Sequence, residues 1–402
     1  MRFPPWILLL VIGGGLSAQD AFQDRVNRAI ERGRGWLAAT QDATTGIFGT
    51  DPGDVGQQAL LTLSLLKAGL APDDPVVKRA RPTFRGPVDT TYQRAVRLML
   101  QDVLRLRGLA QVTRDDAETL IRAQNAKGAW RYAGRPMVIT DNSCTQYAVL
   151  GLRAARNLGY RVPVKVWERT LAYVKTQITA AGGTGYLTRE GATASMTAGS
   201  LSSLVIITWA HKRIPRTQQV WAREAVTRTR GWLERNWKPT DARYRYYTLY
   251  GIERAMGYSG TDLLGRRDWY REGADWLIAN QAHNGSWESN RVSTAFALLF
   301  LVRKSRSIRS RLTGPSVYEE MQSLNAQARK HELDAVVKEL TQRGPKVCPA
   351  LTLYLADPIL NRRIVAHRAL RSITGQKLGY DPVLTTAKNK EAIARWRAYV
   401  MP

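Results

Sequence analysis

Cysteine and histidine are scarce in this 402-residue chain, which has 2 cysteines and 4 histidines. Cys144 and Cys348 lie far apart in the sequence, so they make neither a disulfide framework nor a zinc motif. We expect two buried free thiols, with one bridge as the alternative in an oxidising compartment. The histidines are scattered, and a zinc site needs several ligands that converge. The sequence therefore predicts no metal and no cofactor.

Acidic residues are also in the minority, with 33 against 60 lysines and arginines, and the net charge is +27. A fold does not require this imbalance, which produces a surface field that attracts anions. We expect an anionic envelope polymer or a membrane surface as a partner, and no specific nucleic acid. Because the positive charges are spread along the chain, a compositional bias towards arginine is the alternative.

Long hydrophobic runs are lacking as well. The apolar run at residues 6–12 is too short for a comfortable membrane span. Arg2 precedes it and small residues follow at 15–18, so residues 1–18 are typical of a secretory signal peptide. The sequence thus predicts export to the periplasm, the cell envelope or the medium, with an uncleaved N-terminal anchor as the alternative. The hydrophobic share of 44% excludes wholesale disorder.

The chain does contain a repeated motif: an apolar residue, glutamine four positions later, then glycine, then an aromatic residue. Four residues make about one helical turn, so the apolar residue and the glutamine share a face. Glycine adopts the conformation that ends the helix, and the glutamine amide satisfies backbone groups left exposed there. The copies contain Gln41, Gly46 and Phe48; Gln124, Gly128 and Trp130; Gln177, Gly182 and Tyr186; and Gln281, Gly285 and Trp287. A degenerate copy has Trp237 in place of glutamine.

The spacing of the copies predicts the number of helical hairpins. One hairpin takes about 40 to 50 residues, but Gln41 and Gln124 lie 83 residues apart. We therefore expect a further hairpin between them, from helices near 74–81 and 90–107, and about six hairpins in total.

Each copy is followed by a helix that is apolar on several faces and therefore buried. The helices before the copies, such as 25–38 and 220–235, carry more charge. These patterns predict an all-α fold, with an inner ring of buried helices and an outer ring of amphipathic helices. The predicted inner helices are 54–70, 141–158, 195–211, 246–256 and 293–303, and four of them carry a threonine near the start, Thr145, Thr197, Thr248 and Thr294.

The glutamine-to-aromatic copies resemble the QW repeats of squalene and oxidosqualene cyclases and the repeats of protein prenyltransferase β-subunits. The resemblance covers about residues 20–304. It implies an α/α toroid over residues 19–304. The repeat residues close helix ends, so the motif by itself predicts no chemistry.

The catalytic signatures of these families are missing. Squalene-hopene cyclases use an Asp-x-Asp-Asp motif, which this sequence lacks. The acidic pairs 73–74 and 115–116 are predicted to cap helices or to complement helix dipoles. Prenyltransferases bind zinc through Asp, Cys and His. The segment 141–144 resembles this only superficially, since its spacing differs from Asp-x-Cys and no histidine follows in a partner position.

The composition changes beyond the repeats. Residues 305–316 are basic and end in Gly-Pro, which predicts a linker. Residues 317–402 form a helical segment in which 357–373 resembles a HEAT repeat helix. One or two hairpins bury little surface alone, so we expect this segment to cap the toroid. An independent binding module is the alternative.

Three functions are compatible with these features. The first is a non-catalytic binding or scaffold protein. The second is a divergent terpenoid cyclase acting on an isoprenoid or another apolar ligand, because aromatic faces stabilise carbocations and a buried carboxyl can stay protonated. The third is an enzyme acting on an anionic polysaccharide, which would need paired carboxylates. The candidate ligand-binding residues are Asp141, Thr145, Tyr246, Tyr247, Tyr250 and Glu253.

Overall fold

The computed structural model describes residues 18–49, 54–188, 190–211, 214–240, 244–303 and 317–401. These residues form helices joined by turns and, apart from three isolated bridges, contain no β-structure. The all-α prediction is confirmed for this part of the chain. The predicted linker at 305–316 and all but the last residue of the predicted signal peptide lie outside it. No helix within these ranges combines the length and hydropathy that a membrane crossing requires.

The first twelve helices of the described chain alternate between outer and inner positions. A short 3₁₀ helix, Arg81–Phe84, continues the third. Their bounds are α1 (Ala18–Ala39), α2 (Val55–Lys67), α3 (Pro75–Ala80), α4 (Thr91–Leu104), α5 (Ala110–Ala123), α6 (Asn142–Asn157), α7 (Val164–Gln177), α8 (Ala194–Ala210), α9 (Arg216–Asn236), α10 (Arg245–Ser259), α11 (Trp269–Ala279) and α12 (Arg291–Leu301).

The six even-numbered helices form a closed inner ring. Each packs against the next, from α2 through α4, α6, α8 and α10 to α12, and α12 packs back against α2. The odd-numbered helices lie outside: α5 contacts α4 and α6, and α7 and α9 both contact α8. The prediction of an α/α toroid with six hairpins is confirmed, including the extra hairpin made by α3 and α4.

The glutamine of each regular copy ties two neighbouring outer helices together. Gln124 follows α5, and its Nε2 donates to the Gly128 carbonyl at 3.2 Å, to the Val166 carbonyl at 3.0 Å and to Thr170 Oγ1 at 2.9 Å. Arg169 donates to its Oε1. Val166, Arg169 and Thr170 all belong to α7, so one buried amide joins α5 to α7.

The first and last copies make the same bonds. In each, the amide nitrogen donates to the carbonyl of its own glycine and to a carbonyl of the next outer helix. The pairs are Gln41 with Gly46 at 3.0 Å and Val76 at 2.9 Å, and Gln281 with Gly285 at 2.8 Å and Ala29 at 2.9 Å. An arginine three residues after the second acceptor donates back, Arg79 to Gln41 and Arg32 to Gln281. The Gln281 bonds join α11 to α1 and so close the outer ring.

The repeat glycine is required by close approach as well as by its backbone angle. Gly128 has a φ of +89°, and a Cβ there would lie 2.2 Å from the Arg169 carbonyl oxygen. A side chain is therefore excluded twice, by strain and by collision. The equivalent contacts are Gly46 with Arg79, Gly182 with Arg228 and Gly285 with Arg32.

The aromatic residue two positions after the glycine locks the turn onto its own hairpin. Trp130 Nε1 donates to the Leu120 carbonyl at 2.7 Å, and Trp287 Nε1 donates to the Leu277 carbonyl at 2.8 Å. Both indoles are fully buried. In the first copy Phe48 is buried, and its backbone N–H donates to Gln58 Oε1 at 2.9 Å.

The third copy departs from this pattern. Two positions after Gly182 comes Thr184, which is buried, whereas Tyr186 is half-buried and lies two residues further on. Gln177 makes no bond to the next outer helix in the described chain; its Oε1 accepts from Asn142 Nδ2 at 3.2 Å and Thr188 Oγ1 at 3.1 Å. This copy keeps the glycine contact and lacks the glutamine bridge.

The two acidic pairs have different roles. Asp74 caps α3 as predicted, accepting from the Val76 N–H at 2.8 Å. The capping prediction for 115–116 is wrong, because both residues lie inside α5. Asp116 is buried and accepts from Arg97 at 2.7 and 2.8 Å and from Arg94 at 3.1 Å. Burial raises the pKa of Asp116, against the effect of Arg97 and then Arg94.

The chain divides into two compact units, and the larger one comprises Val26–Ser323. It therefore includes residues 317–323, which the sequence assigned to the C-terminal segment. The reason is local: both carboxylate oxygens of Asp262 accept bonds, one from the Val317 N–H and one from the Tyr318 N–H, each at 2.9 Å.

The smaller unit contains Leu324–Pro402 together with the residues up to Arg25. Trp396 is fully buried, and the His367 ring lies 6.2 Å from it and 5.0 Å from the Tyr380 ring. Cys348 of this unit and Cys144 of the larger one are each buried free thiols. The helices after α12 are α13 (Val317–Gln322), α14 (Lys330–Gln342), α15 (Cys348–Leu351), α16 (Leu360–Thr374) and α17 (Lys390–Val400).

Replacing Asp116 tests the buried ion pair. Asp116→Ala leaves two guanidinium groups without their carboxylate, so the free energy of unfolding should fall by about 3–5 kcal/mol. Asp115→Ala is the matched control. Asp115 is the exposed neighbour of Asp116, so its replacement should change the free energy of unfolding by less than about 0.5 kcal/mol. Urea unfolding followed by circular dichroism measures both. Equal effects would show that Asp116 is not a buried ion-pair partner.

Replacing Gln124 tests the bridge between outer helices. Gln124→Ala removes the amide and leaves the buried Gly128 carbonyl without its donor, so stability should fall by about 1–3 kcal/mol. Gln177→Ala, in the copy without the bridge, should cost less. The difference between the urea midpoints of the two variants measures how much the bridge contributes to stability. Equal midpoints would contradict a stabilising bridge at Gln124.

Candidate functional site

Aromatic side chains from four inner helices meet inside the ring. We call Tyr92, Tyr147, Tyr247, Tyr250 and Phe296 the central aromatic cluster. The Tyr92 and Tyr147 ring centroids lie 4.4 Å apart, Tyr147 and Tyr247 6.1 Å apart, and Phe296 lies 5.9 Å from Tyr247 and 5.8 Å from Tyr250. Because α8 separates α6 from α10 around the ring, the contact between Tyr147 and Tyr247 crosses the interior.

The cluster combines enclosed rings with rings that keep contact with solvent. Tyr147 and Tyr250 are buried, whereas Tyr92, Tyr247 and Phe296 are half-buried. Burial raises the pKa of Tyr92, Tyr247 and Tyr250 well above the ordinary tyrosine value. Their hydroxyls therefore stay protonated near neutral pH and can donate hydrogen bonds. The interior suits an apolar or aromatic body with a small number of polar groups.

A buried arginine lies against this cluster. Arg254 is 1% exposed, and its guanidinium carbon lies 4.3 Å from the Tyr250 ring centroid and 5.2 Å from that of Tyr147. A desolvated cation over an aromatic face gains about 2 kcal/mol per contact. Its Nε and Nη1 are buried without an acceptor among the described residues, and each unmet donor costs about 1–3 kcal/mol.

Gln146 of α6 bonds to the central aromatic cluster through its side-chain amide. Its Nε2 donates to the Tyr247 hydroxyl, and its Oε1 is buried with no donor in the described chain. Gln146 is 3% exposed. Its Oε1 lies close to Gly199 of α8, where a Cβ would be only 2.3 Å from this oxygen.

Asp141 and Thr145 make hydrogen bonds within the repeat. Asp141 caps α6, accepting from the N–H groups of Ser143 at 2.8 Å and Cys144 at 3.1 Å and from the Ser143 hydroxyl. Thr145 Oγ1 donates to the Asp141 carbonyl at 2.8 Å and accepts from the Trp130 N–H at 3.2 Å. Thr197 and Thr294 accept from the equivalent N–H groups. These contacts are structural.

The four candidate residues on α10 point in different directions. Tyr247 and Tyr250 belong to the central aromatic cluster. The Tyr246 ring lies 5.9 Å from Trp276 of α11, and burial raises the pKa of Tyr246 to about 12. Glu253 is buried, and its charge acts on both Tyr250 and Tyr270. Tyr270 belongs to the outer helix α11.

The sequence did not identify Tyr92, Gln146, Tyr147, Arg254 or Phe296. Arg254 follows Tyr247 by seven residues and Tyr250 by four, the helical spacing of a shared face, so that signal was present. The burial of Cys144 raises the pKa of its thiol. Within the described residues no group of three His, Cys, Asp or Glu side chains is arranged to hold a metal.

Comparison with known proteins supports the architecture. No protein-family model matches the chain, and no curated protein matches it in sequence. Among solved structures, a variant of the type II terpene cyclase MstE from Scytonema, in complex with its product merosterolic acid A, is similar with a TM-score of 0.51. The two are 11% identical, and the match covers 71% of this chain and 98% of that one. At this identity the likeness shows the α/α-toroid fold alone.

Two changes at Asp141 separate capping from other roles. Asparagine caps helices about as well as aspartate, so Asp141→Asn should leave the free energy of unfolding within about 0.5 kcal/mol of the parent. Asp141→Ala should lower it by about 0.5–2 kcal/mol. Chemical unfolding measures both. An asparagine variant as unstable as the alanine variant would show that the carboxylate charge does more than cap α6.

Proposed function

We propose that this chain is a non-catalytic binding protein that holds an apolar ligand, such as an isoprenoid, inside its toroid. The observation that carries the proposal is the pairing of the central aromatic cluster with a buried guanidinium. The rings offer a large apolar surface, and the half-buried Tyr92, Tyr247 and Phe296 leave part of it accessible. Pockets of this composition suit binding of small apolar molecules.

The same pairing disfavours cyclisation. A type II cyclisation needs a carboxylic acid to protonate the substrate, and Asp141 already accepts three bonds as a helix cap. A carbocation about 5 Å from the Arg254 charge would be destabilised by roughly 3 kcal/mol at an effective dielectric constant of 20. Aromatic faces stabilise carbocations, so a divergent terpenoid cyclase is the second candidate. The polysaccharide enzyme is third, because the polar groups identified in the interior are hydroxyl, amide and guanidinium.

We further propose that the protein is exported and that its basic surface meets an anionic envelope polymer or a membrane surface. The support is the net charge of +27 and the signal-peptide pattern of residues 1–18. A ring that carries an apolar ligand among anionic polymers would combine both features.

Binding and turnover can be measured together. The purified full chain is titrated with farnesol, following tyrosine and tryptophan fluorescence, and is incubated with squalene before gas chromatography. We expect saturable farnesol binding and no new product. Phe296→Leu keeps an apolar side chain but loses the ring, so binding should weaken by about 2- to 10-fold.

Tyr399→Leu is the matched control, because it removes an exposed aromatic ring in the smaller unit. It should leave farnesol binding unchanged. A cyclised product from squalene would replace the proposal with the cyclase. Absence of binding, or equal losses in both variants, would refute an apolar site in the ring.

A further inference from the structure

We propose that Arg254 recognises an anionic group, a carboxylate or a phosphate monoester, on the ligand held by the toroid. This inference rests on the proposed binding function and adds the chemical class of the ligand: an apolar body with one negatively charged end. The central aromatic cluster would hold the body, and the guanidinium would receive the charged end.

The first support is an unbalanced buried charge. Arg254 is 1% exposed, and none of the ion pairs among the described residues includes it. Its Nε and Nη1 have no acceptor there. The aromatic faces reduce the free-energy cost of burying the charge. They do not replace the oxygen acceptors that Nε and Nη1 lack. A bound anion would supply an acceptor to one of these nitrogens.

A second buried arginine shows how this fold satisfies a structural guanidinium. Arg97 is 6% exposed and gives two bonds to Asp116, at 2.7 and 2.8 Å. Its Nη1 also donates to the carbonyls of Phe84 at 2.9 Å and Gly86 at 2.7 Å. Arg97 is thus paired with a carboxylate and two carbonyls, whereas no ion pair of the described residues includes Arg254.

The neighbouring carboxylate does not serve as that acceptor. Glu253 precedes Arg254 on α10, so the two side chains leave the helix about 100° apart. Glu253 acts on Tyr270 of the outer helix, whereas Arg254 lies over Tyr147 of α6, across the ring. The guanidinium therefore faces the interior, and neither Nε nor Nη1 bonds to Glu253.

The tyrosines that contact the guanidinium carry no negative charge that would repel an anion. The Tyr147 and Tyr250 rings both contact it, and burial raises the pKa of both hydroxyls, which stay neutral. Arginine bonds carboxylate and phosphate through charge-assisted N–H donors, and an anion at either open nitrogen of Arg254 would accept such a bond.

Three probes with one apolar body test the inference on the full chain: farnesol, farnesoic acid and farnesyl monophosphate. Isothermal titration calorimetry gives each dissociation constant. We expect one or both anionic probes to bind about 10- to 100-fold more tightly than farnesol, the gain typical of a charge-assisted bond in a buried site. The stronger of the two identifies the anion as carboxylate or phosphate.

Arg254→Met should abolish that preference and leave farnesol affinity within about 3-fold of the parent. Arg254→Lys, which keeps the charge, should retain part of it. Arg156→Met is the matched control. It removes another guanidinium stacked on an aromatic ring of the toroid, Arg156 over Trp209 at 4.9 Å, and should keep the preference.

The melting temperature provides a readout independent of ligand. Arg254→Met removes a charge without an acceptor, so the unliganded variant should melt no lower than the parent, whereas Arg97→Met should melt lower. A lower melting temperature for Arg254→Met together with unchanged preference would make Arg254 structural and overturn the inference. Equal binding of farnesol and both anions would also overturn it while leaving the proposed function intact. No binding of any probe would instead refute the proposed function.

Discussion

The toroid depends on one hydrogen-bonding arrangement, in which a glutamine amide at the end of one outer helix bonds a carbonyl of the next. The interaction spans two hairpins, and at three described junctions, α1 to α3, α5 to α7 and α11 to α1, it fixes how one hairpin follows the next. At α11 and α1 the same amide joins residues 252 positions apart, Gln281 and Ala29. The loop-closure entropy of so distant a contact is large, so closure relies on the neighbouring hairpins being already in register.

The glutamine arrangement also explains why the repeats could be recognised in the sequence. Gln124, Gly128 and Trp130 each bond to, or closely approach, the backbone of another segment in a way that few other residues can. Residues constrained in this way keep a fixed spacing in the sequence. The third copy shows the limit. Tyr186 is the visible aromatic residue, but the position two after Gly182 belongs to Thr184. The turn of this copy is longer, so its aromatic residue lies two positions later than in the other copies. The spacing in the sequence did not reveal which of the two residues is buried.

The interior was much harder to anticipate. Helix α8 is buried over nearly its whole length, and α6 and α10 are buried on most faces. A helix enclosed on all sides has no polar face, so periodicity does not say which side chains point to the centre. Tyr247 and Tyr250 were found among the candidates, while Tyr147 and Arg254 were not. Asp115 and Asp116 show the same problem, since only the fold distinguishes the exposed carboxylate from the buried one.

Closure of the inner ring, with α12 packed against α2, removes the ends that open helical arrays must protect. In a linear solenoid the terminal repeats have one uncovered face and fray first, which is why capping repeats are needed. Here every hairpin has a neighbour on both sides. No hairpin of the described toroid can detach without exposing apolar surface on two others, so the ring should unfold as a single cooperative unit and not from an edge.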